Sequence, residues 1–119
     1  MDVSDDPVLI YSTFPDVGSA EEVGRYLIES KLAACVNIIP NMISLYNWQG
    51  AVQKDQECVL IIKTRSSLSV SVIEEARKRH TYTTPAFLTL PIIGGYPPYV
   101  EWLMNNTLHL EMKSDVPFQ

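Results

Sequence analysis

Residues 32–64 read LAACVNIIPNMISLYNWQGAVQKDQECVLIIKT, and the parsing of this stretch decides the fold. β-branched and aromatic residues enrich both ends, and the one strong turn signal, Trp48-Gln49-Gly50, lies near the middle. A loop of about three residues ending in Gly is a common hairpin connection, because Gly takes the positive φ that a bulged turn needs. The stretch therefore predicts one very long β-hairpin. With Trp48 to Gly50 as the loop, Asn47 faces Ala51, Tyr46 faces Val52, Ile38 faces Leu60, Val36 faces Ile62 and Cys35 faces Lys63. Pro40 lies inside the first strand and lacks a ladder donor, which predicts a bend, a bulge or an edge position there.

Near the base, Ala33 to Ile39 and Val59 to Ile62 are apolar on both parities, the pattern of strands covered on both faces. Toward the tip, Met42, Ile43, Leu45, Tyr46 and Trp48 lie opposite Gln53, Lys54, Asp55 and Gln56. At roughly 3.3 Å per residue, a strand from Ala33 to Trp48 reaches about 50 Å, whereas a domain of this size has a radius of gyration of about 13 to 14 Å. The tip must project. A projecting ribbon with apolar side chains and open edges calls for a cover, and a second copy of the chain is the simplest one, so a closed homo-oligomer is expected. Leu45, Tyr46 and Trp48 are its candidate interface residues.

The rest of the chain sets bounds. A length of 119 residues is one domain, able to bury a core without metals or disulfides. A net charge of -5 with no basic cluster argues against nucleic acid as the main partner. The acidic start, Met1 to Asp6, lacks the features of a secretory signal, and no apolar run approaches the ~20 residues of a membrane span. A cytoplasmic protein is expected. Cys35 and Cys58 lie too far apart along the hairpin to bridge within one chain, which predicts free thiols in a reducing compartment.

Val8 to Thr13 predicts a buried first strand. Ser19-Ala20-Glu21-Glu22 matches a capping box with Ser19 as the cap, opening a helix to about Lys31 with Ala20, Val23, Leu27 and Ile28 toward the sheet. Ser66 or Ser67 opens a second helix to about Arg79, with Leu68, Val72, Ile73 and Ala76 as its buried stripe. Ala86 to Ile93 predicts a strand that Pro91 places at an edge or ends early. Pro97-Pro98 opens a short helix through about Asn105 with Val100, Trp102 and Leu103 inward. Alternation from Leu108 to Lys113 suggests a last strand. A single domain spans residues 7–113, with flexible termini at 1–6 and 114–119. The order β-α-β-β-α-β predicts an α+β, ferredoxin-like antiparallel sheet with two helices on one face.

LAACVNIIP, SLYNWQG, ECVLIIKT, the His80/Tyr82 turn followed by Thr84-Pro85, and YVEW at Tyr99 to Trp102 together resemble the CutA family of divalent-cation tolerance proteins, from about Val8 to Thr107. The resemblance implies a ferredoxin-like fold, an interlocked trimer built through the long hairpins, and a distant likeness to the trimeric PII signalling proteins. It links the family to tolerance of copper and other divalent metals. This chain departs from the family pattern with His80-Thr81-Tyr82 in place of His-Pro-Tyr, and with Pro85-Ala86 in place of Pro-Glu. The second change removes a carboxylate near the expected intersubunit cleft.

Among residue types that bind metal, Cys35 and His80 are the candidate ligands, for copper or another divalent ion. Soft Cu(I) favours thiolate, and Cu(II) favours imidazole and oxygen donors. No CxxC or HxxxH spacing is present, so a site would have to form between chains. Cys35 also reads as a small core residue, and His80 as a helix C-terminal cation. A second reading is a PII-like sensor of a small anionic metabolite, with Lys63, His80 and Tyr82 as donors and Trp48 of a neighbouring hairpin as a stacking wall. A third is a ligand-free trimeric scaffold. No phosphate-binding loop and no local triad spacing suggest an enzyme.

Overall fold

The structure is a computed structural model that describes residues 5–109. Four antiparallel strands, β1 (Pro7–Phe14), β2 (Cys35–Trp48), β3 (Ala51–Arg65) and β4 (Phe87–Pro91), form one sheet in the order β2-β3-β1-β4. Helices α1 (Val17–Glu29) and α2 (Ser69–Lys78) follow β1 and β3, and α3 (Pro97–Asn105) follows β4. The expected order β-α-β-β-α-β is therefore present, with a short 3-10 turn, Ser66–Leu68, leading into α2. Both edge strands carry proline, Pro40 in β2 and Pro91 at the end of β4, where a missing donor breaks no interior ladder.

Alternation along β1 and β3 sorts side chains to two faces. Ile10 and Phe14, with Cys58, Leu60 and Ile62, pack against Ala20, Val23 and Leu27 of α1 and Leu68, Val72 and Ala76 of α2. This is the core. Gly24 is what lets α1 lie close: a Cβ there would stand 2.8 Å from Val36 Cγ2. The N-terminus of α1 is capped by Asp16, whose Oδ1 accepts the Ser19 N–H at 2.8 Å, so the helix begins before the Ser19 capping box expected from sequence. Ile28 and Trp102, expected inward, are exposed.

The reverse face is not bare. Lys63 and Arg65 point away from Ile62 and Thr64, and there they meet α3 and its exit. Arg65, only 3% exposed, donates from Nε to Thr107 Oγ1 at 2.8 Å, from Nη1 to Asp5 Oδ2 at 2.9 Å, and from Nη2 to the Met104 carbonyl. Asp5 also accepts from the Ser67 N–H at 3.0 Å. Asp5 thus ties the segment just before β1 to the ends of β3 and α3. Past α3, the Leu108 N–H reaches the Lys31 carbonyl at 2.9 Å. Leu108 and His109 are not in a strand, and the remainder of the expected last strand lies outside the described residues.

The register of β2 on β3 changes at Pro40. At the base the pairs are those expected, Cys35↔Lys63, Val36↔Ile62 and Ile38↔Leu60. Above a bulge between Ile39 and Met42 they slip by one, so Tyr46 faces Gln53 and Asn47 faces Val52, not Val52 and Ala51 as expected. Asn41 takes φ 64 within this bulge, a conformation that Asn tolerates well. The slip also shortens the turn to Gln49 and Gly50, with φ 54 and 83, while Trp48 ends the strand opposite Ala51. Two successive positive φ values make the tight hairpin turn whose twist matches the strands. The molecule measures 53 × 33 × 28 Å, with a radius of gyration of 16.0 Å, above the about 13 to 14 Å of a compact chain of this length.

Candidate functional site

The candidate residues fall into three places along the β2–β3 ribbon. At its base, Cys35 stands directly opposite Lys63. Cys35 is half-buried and unpaired. Lys63 Nζ donates to Tyr99 OH at 3.2 Å and lies 5.3 Å from that ring's centroid, and the Tyr99 ring in turn stacks on Trp102 at 5.6 Å. The YVEW motif on α3 thus provides an aromatic shelf beside the lysine.

The second place is the turn after α2. The His80 ring stacks on Phe14 at 4.1 Å, its Nδ1 accepts the Tyr82 N–H at 3.1 Å, and its Nε2 lies 2.8 Å from the Thr13 carbonyl. Because Nδ1 accepts, the proton sits on Nε2 and is donated to Thr13, a tautomer assigned from these partners. Both nitrogens are committed. Tyr82 OH donates to Glu57 at 2.8 Å, and the other Glu57 oxygen accepts from Ser44 Oγ at 2.7 Å. Burial, then the bond to the Glu57 carboxylate, holds the Tyr82 phenol well above the usual tyrosine range. Glu57 is a hub that sequence reasoning missed. Its signal was its place opposite Met42, visible only once the bulge is known.

The third place is the tip. Tyr46 OH hydrogen-bonds Asp55, and that bond raises the phenol's pKa. Tyr46 and Trp48 share a face with Asp55 and Glu57, while Ile43 and Leu45 point to the other. Glu57 and Lys63 are about 20 Å apart along β3 at roughly 3.3 Å per residue, and Trp48 is farther still. One chain therefore brings together Cys35 with Lys63, and His80 with Tyr82, but joins neither pair to the other or to Trp48. Two open grooves, one along α1 at Glu21, Arg25 and Tyr26 and one at Asp5, Arg65 and Thr107, contain none of these five residues. Among the described residues, no group of three or more His, Cys, Asp or Glu side chains is placed to hold a metal ion.

Residues 8–106 match the family described as CutA1 divalent ion tolerance protein. The chain belongs to the CutA1 family. It is similar to "Protein CutA, chloroplastic" of Arabidopsis thaliana, 43% identical over 100 residues, covering 84% of this chain and 55% of the relative. It is 41% identical over 99 residues to the divalent-cation tolerance protein CutA of Thermus thermophilus, covering 83% of this chain and 96% of that one. Among solved structures, CutA1 from Oryza sativa superposes with a TM-score of 0.85 at 42% identity, covering 87% of this chain and 95% of that one. The chain spans little more than half the length of the plant CutA proteins it matches, 55% and 56%.

Proposed function

We propose that this CutA1 chain acts in divalent-cation tolerance as a homotrimeric binding protein, not an enzyme, which holds copper or another divalent metal weakly in clefts between subunits. The observation that carries this is the ribbon tip: Ile43, Leu45, Trp48 and Val52 are 60%, 68%, 58% and 75% exposed on a two-stranded segment with open edges. A segment of that kind needs a cover, and a symmetric assembly of the same chain supplies it. The threefold state is what the family resemblance implies. The tolerance role rests on family membership and on the names of the relatives.

Cys35 is the donor best suited to a soft metal ion. His80 joins only by giving up its bond to Thr13 or to Tyr82. The two unpaired cysteines suit a reducing compartment such as the cytoplasm. Copper titration by calorimetry on the wild type and on Cys35→Ser, with mass read by light scattering in the same buffer, tests both parts. Saturable uptake that needs Cys35 in a sample of three protomers is expected. A trimer that takes up no copper overturns the metal role and leaves a ligand-free scaffold, and a monomeric mass overturns the assembly.

A further inference from the structure

All four arginines and Lys78 are paired with carboxylates: Arg25 with Glu21, Arg65 with Asp5, Arg77 with Glu74, and both Lys78 and Arg79 with Glu75. Lys63 is different. It is half-buried, and its ammonium meets a phenol instead of an acid. The Lys63 N–H donates to Tyr99 OH, which leaves two ammonium protons and the phenol proton uncommitted, on atoms 3.2 Å apart. Donors at that spacing, with no acceptor between them, suit the two oxygens of one carboxylate or phosphate, and such charge-assisted bonds are the stronger kind. Beside them lies a flat surface. Tyr99 and Trp102 are stacked with their planes 29° apart, and they remain 42% and 44% exposed.

From this juxtaposition we infer that Lys63, Tyr99 and Trp102 form a binding site for a small aromatic carboxylate, its oxyanion held by Lys63 Nζ and Tyr99 OH and its ring laid on Trp102. The cation in a net acidic chain concentrates anions locally, and the aromatic shelf selects those that carry a ring. The site uses neither His80 nor Tyr82, which sit at the far end of the sheet. Its anion donors, Lys63 Nζ and Tyr99 OH, are not the proposed metal ligands, and Cys35 stands opposite Lys63 on the neighbouring strand.

The test is calorimetric titration of the full chain, in its native assembly, with benzoate, with cyclohexanecarboxylate and with inorganic phosphate. Saturable benzoate binding is expected, at least tenfold weaker in Lys63→Gln, retained in Lys63→Arg, several-fold weaker in Tyr99→Phe and in Trp102→Leu, and preferred over cyclohexanecarboxylate. The light-scattering mass of each variant serves as control. Should Lys63→Gln change the mass, Tyr99→Phe, which keeps the ring and removes only the phenol, decides instead. Absence of saturation with benzoate overturns the inference, as does binding that ignores both substitutions. Phosphate binding more tightly than benzoate overturns the aromatic half of it.

Discussion

The base and the tip of the β2–β3 ribbon are made from the same two strands, yet they are stabilised by different things. At the base, Cys58, Leu60 and Ile62 are sealed under α1 and α2, and β1 pairs with β3 along the whole length from Pro7↔Arg65 to Phe14↔Cys58. At the tip, Ala51 to Gln56 are exposed throughout, and among the described strands β2 alone pairs with them. An isolated two-stranded hairpin is marginal in water. The difference teaches that strand pairing and turn geometry suffice to extend a ribbon, whereas burial decides which part of it can stand alone.

The comparison can be broken most directly at Phe14, fully buried in the core under the sheet and stacked on His80. Phe14→Ala is expected to cost about 3–5 kcal/mol, read as a lower urea midpoint with an unchanged slope. The matching change at the tip, Leu45→Asp, is expected to show in the light-scattering mass while the helical circular dichroism signal persists. Loss of helix in Leu45→Asp would mean that the base depends on the tip, and the contrast would fall.

Gly24→Ala probes how tightly the base is packed. The added methyl gains up to about 1 kcal/mol of helix propensity, but it collides with Val36, so a net loss of about 1–2 kcal/mol is expected. Adding Val36→Ala should make the double variant lose less than the two single losses together. Simple additivity in denaturant titrations would show that α1 does not press on β2 as described.

A smaller effect follows from Asp5. Burial alone would raise its pKa, but the Ser67 N–H, Arg65 and the Ser67 hydroxyl outweigh that and hold it below its ordinary 3.8. A carboxyl lowered in the fold adds stability that is fully present above its unfolded pKa and fades as pH falls through its folded one. Wild-type stability should therefore decline below about pH 4 more steeply than that of Asp5→Asn. At pH 7 the variant should be weaker by about 1–2 kcal/mol. Parallel pH profiles of the urea midpoint would rule this out. The smallest effect belongs to the turn. Gln49→Asn puts a residue tolerant of positive φ at φ 54, and a gain of about 0.5 kcal/mol is expected, visible as a slightly higher thermal midpoint.

What was legible in the sequence was what depends on periodicity. The strand and helix order, the base register from Cys35↔Lys63 and an irregularity at Pro40 follow from alternation and from one missing donor. What was not legible depends on single dihedrals and on contacts distant in sequence. Nothing in NIIPNMIS says that Asn41 takes positive φ, and that one angle moves every tip pair by one place and converts a three-residue loop into a two-residue turn. Likewise Ser19 and Asp16 are both good caps, and the backbone geometry at Asp16 chooses between them. For the candidate site, residue types were legible but company was not. Lys63 keeps company with Tyr99 and Trp102 because α3 crosses the reverse face of the sheet, a placement that no local pattern encodes.

The bulge at Pro40 and Asn41 also sets a rule for insertions and deletions. Removing Asn41 alone would close the bulge and leave every tip pair and both faces as they are, because Pro40 would then stand opposite Cys58 and Met42 would still face Glu57. The Glu57 carboxylate would keep Ser44, and any neighbouring surface shaped to the present tip would meet the same residues. Lengthening the ribbon by one residue in each strand beside Gln49-Gly50 leaves every existing pair as it is. The ribbon can thus gain reach at its turn, or lose the bulge at Asn41, without any change in which residues face one another.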